Sequence, residues 1–192
     1  MSIQSGRVAR VFGCAAIVAG FTATGAASAA GPQAAPSVAQ AWPDVTVLAK
    51  AAQRVGIRRC YPAIDAVSTR MLEGTRHADV VLDWDQRAPD EDPFFALAGL
   101  EYTDASAVLS LTTVPGDGGG CSILVERIST APVSCRTVAG TELRGYQGNP
   151  LVKAMTVYLN PSRPRETVTL MDIPSACLII RRQVQFRWGA TK

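Results

Sequence analysis

Asp83 and Asp85 flank Trp84 in the stretch VVLDWDQRAPDED, and Asp90, Glu91 and Asp92 close it. A D-x-D pair can hold a divalent cation, and two suitably placed carboxyl groups are the chemical minimum for glycoside hydrolysis. Neither chemistry is specific to this pattern, because a chain with 16 acids supplies such pairs by chance. The spacing also lacks the central Gly and the terminal bidentate Glu of an EF-hand. Along a strand, Asp83 and Asp85 would share one face while Val80, Leu82 and Trp84 took the other. The acids then meet solvent and the apolar residues enter a core. Asp83 and Asp85 stand as the metal candidates against that simpler reading. Glu101 and Glu126, on separate candidate strands, extend the set of acids available to a hydrolase.

Nucleophilic chemistry has little to work with. His77 is the only histidine, so any Ser-His or Cys-His mechanism would need it. It has no G-x-S-x-G elbow to serve. No C-x-x-C pair occurs, and His77 does not sit at ligand spacing from any cysteine, which argues against zinc. The glycine-rich stretch PGDGGG (115–120) lacks the Lys-Ser/Thr and the helix that a phosphate loop requires. It reads instead as a turn in a hairpin. The residues imply no cofactor.

The last segment offers a different chemistry. Arg181, Gln183, Gln185 and Arg187 alternate with Leu178, Ile180, Val184, Phe186 and Trp188. On a strand the first set forms a polar face and the second an apolar one, with Arg182 breaking the apolar side. A row of Arg and Gln hydrogen-bonds carboxylates, phosphates or sugar hydroxyls. It also suits the wet face of an antiparallel sheet. These four residues are the candidate ligand-binding set. Arg54, Arg58 and Arg59 form a smaller basic cluster before Cys60.

The leader says where such a surface would operate. Arg7 and Arg10 precede an apolar run, Val11–Phe21, and Ala27-Ser28-Ala29 completes an A-x-A exit, the three parts of a secretory signal peptide. Val11-Phe12-Gly13-Cys14 also resembles a lipobox, which would make Cys14 a lipid anchor. The apolar run beyond Cys14 and the A-x-A site favour cleavage near Ala29. Losing residues 1–29 lowers the formal charge from +3 to +1. A near-neutral chain has no global attraction for nucleic acid. No later segment is apolar enough to span a bilayer.

Cys60, Cys121, Cys135 and Cys177 remain. An even number beyond a signal peptide points to two disulfides. Three pairings exist. Cys121–Cys135 with Cys60–Cys177 is the favoured one, because the first pair brackets a turn expected at 129–132.

The elements follow from pattern. Residues 30–43 are Ala- and Pro-rich and read as a flexible leader, and residues 44–192 as one domain. Asp44 is positioned to cap a helix through Val55, and Pro62 suits the first turn of a second helix ending near Gly74. Strands are expected at 78–84, 94–102, 107–114, 121–128, 151–159, 166–171 and 177–188, with a short helix capped by Ser134. No internal repeat is visible. The fold class is α+β: N-terminal helices packed on a mainly antiparallel sheet of about six strands, stapled by disulfides.

These readings favour an exported, periplasmic or secreted, binding or accessory protein without catalytic activity, such as an inhibitor or envelope-complex subunit. Its partner would be a protein or a glycan or anionic envelope ligand. The alternatives are a small secreted hydrolase using Asp83, Asp85 or Glu126, and a structural envelope component or lipoprotein.

Overall fold

The computed structural model describes residues 45–189. The signal peptide, its cleavage near Ala29, the Cys14 lipobox and the 30–43 leader lie outside the described residues. Among those described, no helix is long and apolar enough to cross a membrane.

Helix α1 (Val47–Arg54) starts at Thr46 rather than at Asp44, with the Thr46 side chain accepting from the Ala49 N–H at 3.1 Å. It buries Leu48, Ala49 and Ala52. Helix α2 (Tyr61–Met71) has Pro62 in its first turn, where a missing N–H costs nothing. It buries Ala63, Ile64, Val67 and Ser68. The hydroxyls of Thr46 and Ser68 meet at 2.7 Å, so the cap of one helix is tied to the body of the other.

Four antiparallel strands follow: β1 (His77–Asp83), β2 (Phe94–Glu101), β3 (Ser106–Pro115) and β4 (Cys121–Ala131). The β3–β4 connection is the expected glycine-rich turn. Gly118 and Gly119 adopt φ of 73° and 84° there, a region open to Gly at little cost. Helix α3 (Cys135–Glu142) is capped by Ser134, as its sequence predicts. Four more strands complete the chain: β5 (Gln147–Val152), β6 (Met155–Leu159), β7 (Glu166–Ile173) and β8 (Ala176–Trp188).

The class is α+β, but the sheet has eight strands, ordered β1-β2-β3-β4-β8-β7-β6-β5, rather than about six. The single strand expected at 151–159 is a hairpin that reverses between Val152 and Met155. Its first arm, β5, begins in the polar stretch Gln147-Gly148-Asn149-Pro150 and is exposed throughout. Proline belongs on such an edge, where no ladder donor is missed.

That order reveals a repeat which the sequence hides. A helix and a four-strand meander (α2, β1–β4) recur as a helix and a four-strand meander (α3, β5–β8), and the two meanders join antiparallel through their last strands. The disulfides recur too. Cys60, at the N-terminus of α2, bonds Cys121 at the start of β4, and Cys135, at the N-terminus of α3, bonds Cys177 at the start of β8.

All four cysteines therefore pair, but not as Cys121–Cys135 and Cys60–Cys177. The turn expected at 129–132 does not form, because β4 runs straight from Cys121 to Ala131. Cys121 opens that strand and Cys135 lies four residues past its other end, with about 33 Å of extended strand between Cys121 and Ala131. Bridged Cα atoms must lie within about 7 Å, and they do so at 5.3 and 4.8 Å in the observed pairs.

The ladder register places one row after another on a common inner face. Ala98, Leu109, Arg127, Arg181, Val168, Tyr158 and Gly148 are successive partners across seven strands. Partners directly opposite in a sheet point to the same side. On this face α1 and α2 pack over β1–β4 around Phe94, Leu109, Leu111 and Ile64. Helix α3 packs over β7 and β8 around Val138, Val168, Leu170 and Ile179. Two cores thus lie on one side of the sheet.

Candidate functional site

The strand β8 carries the inner face across the seam between those cores, and its polar row lies on that face. Cys177 and Ile179 are buried on the helix side, whereas Leu178 and Ile180 are only half-buried on the other. Arg181, Gln183 and Gln185 follow Ile179 on the inner face, opposite Arg127, Val125 and Ile123 of β4. The polar residues point toward the helices because neither helix layer covers them. Sequence periodicity gives the alternation from Leu178 to Gln185, and which side meets the helices depends on how far the helices reach.

Arg187 departs from this row. The β4–β8 register shifts between Cys121, opposite Trp188, and Ile123, opposite Gln185. One extra β8 residue is absorbed there, a β-bulge, and Arg187 takes φ 55° within it. A bulge re-aims the side chains that follow, which brings Trp188 against the inner core.

The result is a cleft of about 310 Å³, at the low end of the roughly 300–1,000 Å³ typical of small-molecule sites. Its floor is Ile123, Val125, Gln183 and Gln185, with Trp188 beside them. One wall is Val67 and Arg70 from α2. The other is Arg163, Pro164, Arg165 and Glu166, the turn between β6 and β7 and the first residue of β7. The wall exists because β8 outlasts β7. Their pairing begins at Glu166 opposite Gln183, so beyond it the turn, not a strand, borders β8. The Val184 N–H donating to the Arg165 carbonyl at 3.1 Å holds the turn in place.

The polar groups around the cleft are unequally occupied. Glu166 is engaged: it accepts from the Tyr146 hydroxyl at 2.9 Å and from Arg163 at 3.4 Å. Arg70 donates only through Nε, to the Ala66 carbonyl at 3.3 Å, and has no carboxylate partner among the described residues. Neither Arg165, Gln183 nor Gln185 makes a side-chain hydrogen bond among the described residues. Three arginines and one glutamate leave the rim cationic. The apolar lining comes from Val67, Ile123, Val125, Pro164 and Trp188. The sequence reading found Gln183 and Gln185. It missed Arg70, Arg163, Arg165 and Trp188, which come from three separate segments brought together only by the fold.

The acids do not converge on this cleft. Asp83 ends β1, exposed, opposite Phe95. Asp85 lies beyond that strand and accepts from the Arg87 N–H at 2.7 Å, a local turn contact. As the sequence suggests, Val80, Leu82 and Trp84 pack on the core. Glu126 sits opposite Arg182 on β4, three strand spacings or about 14 Å from β1. That exceeds the roughly 5–9.5 Å separation of paired glycosidase carboxylates. Glu101 pairs with Ser106 at the far end of β2. No cluster of three or more His, Cys, Asp or Glu suited to a metal ion occurs among the described residues. His77 opens β1, exposed.

Comparison with protein-family models, curated proteins and solved structures finds no match to the chain.

Proposed function

We propose that this protein is an exported, disulfide-bonded binding domain. Its α2–β8 cleft holds a small ligand with an apolar body and a polar or anionic edge, and it acts as a binding or accessory component of the cell envelope or exterior. The observation that carries the reading is an apolar cleft rimmed by Arg70 and Arg165, with Gln183 and Gln185 on its floor, all four lacking carboxylate or amide partners among the described residues. Protein clefts that are largely apolar with a few convergent polar groups are the usual form of small-ligand sites. Two disulfides favour an oxidising compartment, and the leader with its A-x-A exit supports export with cleavage near Ala29.

Anilinonaphthalene sulfonate, an apolar anion, is a suitable first probe. It is expected to bind at one saturable site and to shift the fluorescence of Trp188. Gln185→Trp fills the cleft and is expected to abolish binding without lowering the melting temperature. Equal binding by a folded Gln185→Trp variant would sink the cleft as the site. The intact mass of the exported chain, before and after reduction and alkylation, tests export separately. A chain starting near Ala30 with no thiol reactive before reduction is the expected result.

A further inference from the structure

One inner-face row beyond the cleft floor, two residues along each strand from Val125 and Gln183, Arg127 and Arg181 stand directly opposite each other. Like charges in facing positions destabilise a ladder unless something offsets them. Arg181 has its counter-charge: its Nη2 donates to Glu142 at 2.6 Å. Glu142 is the last residue of α3, an end where the helix dipole disfavours an acid. Its placement is explained by Arg181. Arg127 has no carboxylate among the described residues. Its guanidinium lies over the Tyr102 ring, 5.1 Å from the centroid, and its Nε is buried with no acceptor. A buried donor without an acceptor is uncommon in folded proteins and calls for a missing partner.

We infer that Arg127 and Arg181 form an anion subsite, and that the cleft ligand is an amphiphile whose phosphate or carboxylate seats between them while its apolar body lies on Val125 and Trp188. This rests on the cleft reading above and adds to it the chemical class of the ligand. The geometry suits it. The next row of a strand is about 7 Å away, a span that a short head group bridges. The Tyr102 ring holds the Arg127 guanidinium in place, so little of its side-chain freedom is lost on binding. The anion offsets the facing charges of Arg127 and Arg181.

The test compares monooctyl phosphate, 1-octanol and inorganic phosphate by calorimetry on the full exported domain. Monooctyl phosphate is expected to bind about tenfold or more tightly than octanol, the scale of charge-assisted hydrogen bonds. Arg127→Gln should erase that advantage and leave octanol binding unchanged, and Arg127→Lys should keep part of it. Glu142→Gln, which frees Arg181, should tighten monooctyl phosphate binding, an effect that a merely structural ion pair would not give. Melting curves confirm that each variant is folded. Equal affinity for the two octyl compounds, or an advantage that survives Arg127→Gln, overturns the arginine subsite while the cleft stands. Phosphate binding that persists in Gln185→Trp with no octanol binding in the wild type overturns the joined site and the cleft together. Absence of binding by all three probes overturns both readings.

Discussion

The two halves of the sheet share a plan and differ in cover. Both begin with a helix whose first turn is bonded through a disulfide to the fourth strand. In the first half, α1 and α2 together bury a largely apolar surface from β1 to β4. In the second, α3 is 8 residues long and closes only the Cys177–Ile179 end of β8 and its β7 neighbours. The uncovered remainder of β8 is where Arg181, Gln183 and Gln185 face inward. The difference teaches that the site is a consequence of a short helix: the repeat leaves a gap where its second copy is under-roofed.

The disulfides give the largest expected effect. Removing either pair, Cys60 and Cys121 or Cys135 and Cys177, to Ala should cost about 2–5 kcal/mol in urea unfolding. Chain entropy ranks the two bridges, with separations of 61 and 42 residues, within about 0.3 kcal/mol of each other. A clear inequality must therefore come from packing. Loss of Cys135–Cys177 should release α3 locally, seen as faster amide exchange in α3 than in the rest of the domain. Loss of Cys60–Cys121 should leave α2 protected by the core beneath it. Equal release of both helices would break the comparison.

Core truncation comes next. Leu109→Ala in the first half and Leu170→Ala in the second should each cost about 2–5 kcal/mol, with Leu109 the more costly because its surroundings are larger and less able to collapse. Matching losses in denaturant melts would mean that the halves share one core. The helix caps follow at about 1 kcal/mol each. Thr46→Ala should exceed Ser134→Ala in thermal melts, since Thr46 also loses its Ser68 partner. Smallest is Glu126→Gln. It removes a partly exposed pair, 3.7 Å from Arg182 at the seam, and should change stability by about 1 kcal/mol or less.

Much of the scaffold was legible. Ser134 as a cap, Pro62 in a first turn and the 115–120 glycines act through local physics, so they read directly from the chain. The Val80–Leu82–Trp84 side of β1 was legible for the same reason. What failed depended on distant parts. The cysteine pairing turned on β4 extending through 129–131, where a turn was expected. The inward side of β8 turned on how far α3 reaches. Strand β5, polar and containing Pro150, earns its place from β6 rather than from its own propensity. The repeat was hidden because its copies keep the topology and the cysteines while the helices and strand lengths have diverged. Gln183 and Gln185 could be named from the chain, but their cleft could not, because Arg70 and Arg165 join them only through the fold.

From Cys60 onward, the cysteines pair in chain order, first with second and third with fourth, and this carries a consequence for biogenesis. A polypeptide emerging N-terminus first presents Cys60 and Cys121 before Cys135 appears. The bond made earliest is thus already native, and the second pair finds no competitor left when it emerges. Oxidation in order of appearance gives the correct molecule, so this domain should mature without a disulfide isomerase.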